Sequence, residues 1–292
     1  MLTSVKHCPA IDCAGRILDL STPAIMGVIN TTPDSFSDGG LFYKGDQLDL
    51  DRALYKASSM VADGARILDI GGESTRPGAA AVSLLQESDR VLPLVEKICA
   101  ELDVIVSVDT STACIMTAAA GVGAGMLNDV RALSREGALA AAAKSNLPLC
   151  LMHMRGSPVD MQQSPHYSDV VQDVRQFLQQ RVATCVEAGI ERNRIIVDPG
   201  FGFGKTVQHN LQLLQGLPNL SELGLPLLVG FSRKSMIGKL IGRSVDERMP
   251  ASLALAVLAV ERGARIIRTH DVAATVDAVA MAVALANEEH YE

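Results

Sequence analysis

The chain has 292 residues, enough for one large α/β barrel or for two smaller domains. Hydrophobic residues make up 48% of it and aromatic residues only 3%, which predicts a core of aliphatic side chains and alanine. With 26 basic and 33 acidic residues the net charge is −7. No segment concentrates the basic residues, which argues against a nucleic-acid-binding surface.

The cysteines and the apolar segments indicate the cellular environment. The six cysteines form no CxxC pair and have no zinc-site spacing, so most are expected to be small core residues in a reducing compartment. The N-terminus lacks the apolar segment of a signal peptide, and the longest apolar stretch, Leu253 to Val260, is far shorter than the ~20 residues that a membrane span needs. We therefore expect a cytoplasmic protein with no membrane or nucleic-acid contact, whose partners are small molecules.

After a predicted N-terminal β-hairpin at about residues 7–22, eight short apolar runs rich in β-branched residues recur along the chain. Each run is continuously apolar, as expected of parallel strands that helices cover on the outside. The hairpin lies outside this repeat and is predicted to be a plug or a lid. The predicted strands are Ala24–Asn30, Arg66–Gly71, Val104–Asp109, Met126–Val130, Leu149–Met152, Ile195–Asp198, Leu227–Gly230 and Ile266–Arg268.

Helical patterns separate these strands, and several end on glycine, as Asp63-Gly64 and Arg262-Gly263 do. The pattern predicts a single (β/α)8 TIM-barrel domain over residues 1–292. A doubly wound open sheet is the alternative, because the order of elements alone cannot show closure. The predicted helices are Leu48–Asp63, Ser83–Leu102, Cys114–Ala120, Gly137–Lys144, Val170–Glu187, Asn210–Leu217, Ser252–Arg262 and Val272–Ala286.

Each predicted strand ends on polar residues suited to small-molecule chemistry. Because a parallel barrel places all its strand ends on one side, these residues are expected to converge in space. They are Asn30, residues 73–76, Asp109, Asn128, His153, Asp198, residues 232–234 and residues 268–270.

The last two strand ends favour an anion. The run Gly230–Ser235 has two cations and two hydroxyls where a barrel commonly binds phosphate, and Arg268 and His270 follow the next strand. These residues predict a site for a phosphorylated group. A solvated loop with ordinary surface charges is the alternative.

Three other strand ends favour a heterocycle. Asp109, Asn128 and Asp198 would point into the barrel mouth, where a nitrogen-rich ring offers matching donors and acceptors. A structural hydrogen-bond network is the alternative. Asn30 begins a polar loop, residues 30–40, that is suited to closing over a site, and its carbonyl oxygen is suited to Mg²⁺. An ordinary turn is the alternative for that loop.

The segment Gly200–Thr206 looks like a phosphate-binding P-loop, but its glycine spacing is one residue short, so nucleotide binding there is rejected. Its glycines are expected to let the backbone approach a flat ligand, with Phe203 or Phe201 as one wall. His153 is interpreted as a hydrogen-bonded core or rim residue rather than an acid or base, because no matching nucleophile is evident.

Taken together, these motifs resemble the dihydropteroate synthase family of pterin-binding TIM barrels, the sulfonamide targets of folate biosynthesis. The match runs in order over nearly the whole chain. It is carried by MGVINTTPDSFSDGG (26–40), DIGGESTRPG (69–78), residues 107–110, 128–129 and 151–155, DPGFGFGK (198–205), SRKSMIG (232–238) and residues 268–271.

The resemblance implies a transferase that joins 6-hydroxymethyl-7,8-dihydropterin diphosphate to 4-aminobenzoate, with Mg²⁺ as cofactor and a homodimer built on outer barrel helices. It implies that the diphosphate leaves first and that a pterin-stabilised carbocation is then captured by the arylamine. Asp38 is expected to stabilise this cation or to receive the amine proton.

The resemblance also assigns roles to individual residues. Catalysis is assigned to Asp38, Lys234 and Arg268. The pterin is assigned to Asp109, Asn128, Met152, Asp198, Lys234 and Arg268. The diphosphate is assigned to Asn30, Thr75, Arg268 and His270, with Asn30 as the metal ligand. The aminobenzoate is assigned to Phe36, Arg76, Pro77, Phe203, Lys234 and Ser235.

Two other functions compete with this one. A methyltetrahydrofolate-dependent corrinoid methyltransferase would have no need of the two cationic clusters that are expected to bind diphosphate. A non-catalytic pterin-diphosphate-binding paralogue would need a lesion in the loops that capture aminobenzoate, and Phe36, Asp38, Arg76, Pro77 and Ser235 are all in place.

Overall fold

In the computed structural model, residues 10–32, 42–44, 47–74, 82–156, 161 and 165–286 are described. Eight parallel strands form a closed barrel in which each strand pairs with its neighbour in the chain and the last pairs with the first. The closed barrel confirms the predicted TIM barrel over the open sheet. The strands are β1 (Ala24–Asn30), β2 (Ile67–Gly71), β3 (Ile105–Asp109), β4 (Met126–Asp129), β5 (Leu149–Met152), β6 (Ile195–Asp198), β7 (Leu227–Val229) and β8 (Ala264–Thr269).

Ten α-helices lie in the described part of the chain, two more than the periodicity predicted. They are α1 (Leu50–Ala62), α2 (Leu84–Glu101), α3 (Ala113–Gly121), α4 (Ala138–Ser145), α5 (Val170–Glu187), α6 (Val207–Gln215), α7 (Leu217–Ser221), α8 (Ser235–Ile241), α9 (Met249–Glu261) and α10 (Val272–Ala286). The predicted helix Asn210–Leu217 is wrong at its end, because α6 ends at Gln215 and, after Gly216, α7 begins at Leu217 with Pro218 in its first turn. Helix α8 is too short to show a clear period.

Side-chain caps fix where the two longest helices begin. Ser83 accepts from the Gln86 N–H at 3.3 Å while the Gln86 side chain accepts from the Ser83 N–H at 3.0 Å, a capping box at the start of α2. Asp169 accepts from the N–H groups of Val171 and Gln172 at 3.0 and 3.1 Å and so caps α5. Both helices therefore begin where local sequence chemistry places them.

The N-terminal hairpin closes the barrel at the end opposite the polar strand ends. Its strands, Ile11–Cys13 and Arg16–Leu18, pair antiparallel across a turn in which Gly15 has a φ of 89°. Ile11, Cys13, Leu18 and Leu20 are buried in one cluster with inward-facing residues of the strands, such as Met126. The hairpin is therefore a plug rather than a lid. A second short antiparallel pair, Tyr43–Lys44 with Gln47–Leu48, precedes α1.

The barrel interior changes from apolar to polar along its axis. Above the cluster closed by the hairpin, Asp69 pairs in register with Val28 on one side and Ser107 on the other, and both Asp69 and Ser107 are fully buried. One step further, Asp109 lies in register with Gly71 and Asn128.

Among the helices of the described residues, none is long and apolar enough to cross a membrane.

Candidate active site

A pocket lies at the carboxyl ends of the strands, the end at which parallel barrels bind small molecules. It brings together polar residues from five of the eight predicted strand ends, which agrees with their expected convergence. It is lined by Val28, Asp109, Asn128, Val130, Met152, Asp198, Phe203, Gly230, Ser232, Lys234, Arg268 and His270.

Arg268 lies between two carboxylates at one wall of the pocket. Its Nε donates to Asp69 Oδ2 at 2.7 Å and its Nη2 donates to Asp109 Oδ2 at 3.2 Å. Burial opposes the charge of the guanidinium, but Asp69 and Asp109 outweigh it and raise the pKa of Arg268. Burial together with the nearby Asp69 raises the pKa of Asp109 to about 8.

Asp198 and Lys234 form a second charged group in the pocket. Burial is the main cause that raises the pKa of Asp198, and burial also lowers the pKa of Lys234 to about 8. Asp198 Oδ1 accepts from the Gly200 N–H at 2.7 Å. The Lys234 ammonium donates to the Phe201 carbonyl and lies 4.8 Å from the centroid of the Phe203 ring, a cation–π distance.

Ser232 and His270 join the ends of β7 and β8. Ser232 Oγ lies 2.8 Å from His270 Nδ1 and accepts from the His270 N–H at 3.2 Å. The neighbouring Arg233 makes a bidentate ion pair with Asp271 at 3.1 and 2.5 Å and does not line the pocket. The expectation that both cations of this run face an anion is therefore wrong for Arg233, because Asp271 binds its guanidinium.

Several predicted site residues lie outside the described residues or away from the pocket. Phe36, Asp38, Thr75, Arg76 and Pro77 lie outside the described residues. Asn30 ends β1 and is half-buried. Ser235 is exposed at the first position of α8 and does not line the pocket. Their roles stay predictions.

The glycine-rich loop after β6 packs against protein rather than against open space. A Cβ on Gly200 would lie 1.9 Å from the His153 carbonyl oxygen, and one on Gly204 would lie 2.3 Å from that of Arg155. Both glycines have positive φ, of 68° and 61°. The predicted approach to a flat ligand is thus wrong for these two glycines, since neighbouring backbone occupies that space.

Lys205 lies beneath this loop, in the segment that resembles a P-loop. Its Nζ donates to the carbonyls of Gly200 and Phe203 at 2.8 and 3.1 Å and lies 2.9 Å from His153 Nδ1. Burial lowers the pKa of Lys205 well below its usual value and lowers that of His153 to about 2. The rejection of nucleotide binding here, and the core role of His153, both agree with these contacts.

Phe203 lines the pocket, whereas Phe201 is fully buried and packs against Phe231 at 4.3 Å between ring centroids. Of the two rings considered as a ligand wall, the Phe201 alternative is wrong. The two rings lie on different sides of the backbone because Gly202, which separates them, has a left-handed conformation with a φ of 82°.

Asp69 is the site residue that the sequence patterns did not single out. It is fully buried and binds Ser107, Asn128 and Arg268. A signal for it exists, because an acidic residue in the middle of the apolar strand Ile67–Gly71 must find buried partners. Its partners lie on other strands, which local sequence cannot name.

A second polar network was also missed, beside the pocket after β4. Arg131 makes a bidentate pair with Glu73 at 3.0 and 2.9 Å. Asp129 accepts from the N–H groups of Arg131 and Leu133, both at 2.8 Å, and from the Ser111 hydroxyl. These contacts join the segments that follow β2, β3 and β4.

No group of three or more His, Cys, Asp and Glu side chains suited to a metal is present within the described ranges. Asn30, at the end of β1, offers one hard oxygen, that of its amide. Mg²⁺ commonly uses one or two protein oxygens together with waters and substrate phosphates, so a single amide oxygen fits it.

Comparison with known proteins agrees with this geometry. Residues 26–270 match the model of the pterin binding enzyme family. Dihydropteroate synthase of Haemophilus influenzae is 51% identical over 272 residues, covering 93% of this chain and 97% of that protein.

Solved structures agree as well. A Yersinia pestis dihydropteroate synthase in a sulfonamide drug complex superposes with a TM-score of 0.92 at 50% identity, covering 95% of this chain and 99% of that one. A Xanthomonas albilineans dihydropteroate synthase in complex with 7,8-dihydropteroate superposes with a TM-score of 0.85 at 45% identity, covering 96% and 99%. The closed barrel, the pocket at its strand ends and these relatives together show that the chain belongs to the dihydropteroate synthase family of pterin-binding enzymes.

Proposed function

We propose that the protein joins 6-hydroxymethyl-7,8-dihydropterin diphosphate to 4-aminobenzoate and releases 7,8-dihydropteroate and diphosphate. The observation that carries the proposal is one pocket in which acid and amide groups lie beside hydroxyl and cationic groups. The first set suits the donors of a pterin edge and the second suits a diphosphate. A relative whose solved complex contains 7,8-dihydropteroate supports the same reaction.

In this proposal the described residues divide between the two ends of one substrate. Asp109, Asn128, Asp198 and Lys234 bind the pterin edge, with Met152 beside the ring. Arg268 lies over the ring face and also reaches the diphosphate, which His270 and Thr75 bind as well. Lys234 and Phe203 contribute to the aminobenzoate subsite together with Phe36, Arg76, Pro77 and Ser235.

We place Mg²⁺ on Asn30 in this proposal. When bound, the ion would neutralise charge on the diphosphate and make it a better leaving group. Replacing Asn30 with Ala should raise the Mg²⁺ concentration needed for binding of the pterin diphosphate, measured by calorimetric titration at several Mg²⁺ concentrations. The neutral pterin alcohol, which has no diphosphate, is the control ligand and should bind both proteins equally. Equal Mg²⁺ dependence for the two proteins with the diphosphate would contradict the assignment.

The proposed mechanism is dissociative. The C–O bond to the diphosphate breaks first, the electron pair leaves with the oxygen, and the resulting pterin cation is captured by the arylamine nitrogen, which then loses a proton. The acidic and amide groups around the pterin would stabilise the cation, since they present acceptors to the ring. Asp38 is proposed to stabilise the cation or to take the amine proton.

Isotope exchange tests whether bond breaking precedes attack. Pterin diphosphate is labelled with ¹⁸O at the oxygen that joins the pterin methyl carbon to phosphorus. It is incubated with the protein, Mg²⁺ and an aminobenzoate analogue that lacks the amine. Recovered substrate should show the label scrambled into non-bridging positions if the bond breaks reversibly. Unscrambled substrate, under conditions where the complete reaction runs, would contradict the dissociative order.

A direct assay tests the reaction itself. The protein, pterin diphosphate, aminobenzoate and Mg²⁺ should yield equal amounts of dihydropteroate and diphosphate. Binding without product would favour a non-catalytic pterin-binding protein, and corrinoid in the purified protein would favour a methyltransferase.

Asp38 can be tested separately from binding. Replacing Asp38 with Asn should lower turnover far more than affinity for the pterin diphosphate, because the proposed role is played after binding. Single-turnover kinetics and calorimetry on the same preparations measure the two effects. Unchanged turnover would rule out the role.

We also propose that the protein is cytoplasmic and forms a homodimer through outer barrel helices. In support, the adjacent helices α9 and α10 expose Leu258, Met281 and Leu285, the last two by 71% and 67%. Replacing Met281 and Leu285 together with Lys should give a monomer in light scattering. Tyr55→Lys, on an equally exposed residue of α1, is the control and should leave the assembly unchanged. A dimeric double variant would contradict this interface.

A further inference from the structure

Asp69 lies one layer below the pocket and touches two of the residues that line it. It is the third residue of β2, is fully buried, and is in register with Ser107. Its Oδ1 accepts from the Ser107 hydroxyl at 2.7 Å. Its Oδ2 accepts from Asn128 Nδ2 at 3.1 Å and from Arg268 Nε at 2.7 Å.

We propose that Asp69 is a positioning residue of the pterin site, which fixes the orientation of the Asn128 amide and of the Arg268 guanidinium. The proposal rests on the proposed function and adds to it a residue that does not itself line the pocket.

The orientation of Asn128 follows from what a carboxylate can accept. An ionised carboxylate has no donor, so the Asn128 atom next to Asp69 must be its NH₂ group. The Asn128 carbonyl oxygen is then the atom left to serve the pocket. Asp69 thereby determines that this position presents an acceptor to a ligand N–H, which selects for rings with a donor on that edge.

The orientation of Arg268 depends on two aspartate side chains. Asp69 binds Nε and Asp109 binds Nη2, so two points of the planar guanidinium are held from two different strands. A planar group held at two points cannot rotate about its long axis, which fixes the plane of the guanidinium at the pocket wall. Loss of Asp69 would leave one of these two contacts.

Asp69 also acts on Asp109 through charge. After burial, the Asp69 carboxylate is the largest cause of the raised pKa of Asp109. Arg268 opposes this shift, whereas Asp129 at the end of β4 and Glu73 in the segment after β2 support it. Removing the charge of Asp69 while keeping its shape should therefore let Asp109 lose its proton at a lower pH.

Two substitutions separate position from charge. Asp69→Ala removes the acceptor and should weaken binding of the pterin diphosphate roughly ten- to hundredfold, the scale of one or two charge-assisted hydrogen bonds. The KM for aminobenzoate should change by less than about threefold, because the two pocket residues that Asp69 contacts, Asn128 and Arg268, are assigned to the pterin and diphosphate. Asp69→Asn keeps an oxygen acceptor and should recover most of the lost affinity.

The pH dependence distinguishes positioning from a merely structural role. In the wild type, pterin affinity should change at about pH 8, where Asp109 and Lys234 both titrate. The Asp109 inflection should move to lower pH in Asp69→Asn, whereas the Lys234 inflection should stay, because Asp69 is not among the causes of its lowered pKa. The matched control is Ser107→Ala, which removes only the contact to Oδ1 and should leave the affinity and both inflections in place.

A double-mutant cycle gives the decisive comparison. If Asp69 acts through Arg268, then Asp69→Ala and Arg268→Lys together should weaken pterin binding little more than the stronger single change. Additive losses, or an unmoved Asp109 inflection in Asp69→Asn, would overturn the proposal. If Asp69→Ala fails to fold, the pH profile of Asp69→Asn decides alone. Failure of the proposed function is a separate result, because it would appear as no product from the wild type.

Discussion

The Asp109 carboxyl holds its proton far above the usual range because two effects act in the same direction. Burial removes the solvation that an ionised carboxylate needs, and the Asp69 carboxylate repels a second negative charge. Arg268 opposes both effects without cancelling them. Below about pH 8 the pocket therefore contains a neutral acid that can donate as well as accept a hydrogen bond.

This proton makes stability depend on pH in a definite direction. The pKa of Asp109 rises from 3.8 to about 8 on folding, so between these values the folded state holds a proton that the unfolded chain has lost. The Asp109 contribution to the free energy of unfolding therefore falls as the pH rises through this window, by at most about 1.4 kcal/mol per pH unit.

Replacing Asp109 with Asn tests this dependence. The free energy of unfolding of the variant minus that of the wild type should be larger at about pH 8 than at about pH 5. The reason is that the variant has no proton to lose between these pH values. Urea denaturation at the two pH values measures the difference. A difference that does not change with pH would contradict the neutral state of Asp109.

At the scale of elements, the segment after β4 is held in an unusual conformation. Ala132 and Leu133 have φ values of 50° and 58°, which non-glycine residues rarely adopt. Asp129 binds this segment from one side, and Arg181 of α5 donates from the other side to the carbonyls of Ala132 and Leu133 at 2.8 and 3.3 Å. Contacts from outside the segment thus offset the free-energy cost of its strained backbone.

Arg181→Met should therefore lower the free energy of unfolding by about 1–3 kcal/mol, because two buried carbonyls lose their donors. Arg175→Met on the same helix is the matched control. Arg175 pairs with a Glu222 side chain that is 61% exposed, so its loss should cost no more than about 1 kcal/mol. Similar losses in the two variants, measured by urea denaturation, would show that Arg181 does not support this segment.

The hairpin allows a second test at this scale. Leu18 is fully buried in the plug, and its neighbour Ile17 is 62% exposed. Leu18→Ala should cost about 2–5 kcal/mol of stability, whereas Ile17→Ala should cost less than about 0.5 kcal/mol. Pterin affinity should be unchanged in both variants while they remain folded, since the plug lies at the other end of the barrel. Weakened binding by folded Leu18→Ala would contradict this separation.

The sequence predicts elements well where the signal is local. The eight strands agree within about two residues at each end, because each is a short apolar run bounded by polar residues or glycine. Helices α7 and α8 were missed because five and seven residues do not establish a helical period. The glycines at 200 and 204 were assigned to a ligand, since the carbonyls they approach follow a different strand, β5.

At the scale of the whole molecule, the sequence predicts which residues meet but not how they pair. Asp109, Asn128, Asp198, Lys234 and Arg268 all line one pocket because the barrel brings strand ends together. The pairing of Arg268 with Asp69 spans 199 positions in the chain, and no local pattern identifies such a partner. Assignments on residues 33–41 and 75–81 stay predictions from the family resemblance.

Ligand binding should stabilise the whole barrel, because the pocket takes residues from strands on every side. At a pterin diphosphate concentration of about one hundred times Kd, the free energy of unfolding should rise by about 2.7 kcal/mol. Thermal denaturation with and without ligand measures the shift. Arg268→Lys is the informative comparison. Because this variant should bind the ligand more weakly, it should need a higher ligand concentration for the same rise in the free energy of unfolding. No shift at saturating ligand would mean that binding does not favour the folded state.

The network formed by Asp69, Asn128 and Arg268 has a consequence for the kinetics of recognition. Its polar atoms bind one another before any ligand arrives, so an incoming ring meets groups that need no rearrangement. Pterin analogues should then associate at similar rates and differ mainly in how long they stay. This barrel would therefore discriminate among related heterocycles by their residence times rather than by their association rates.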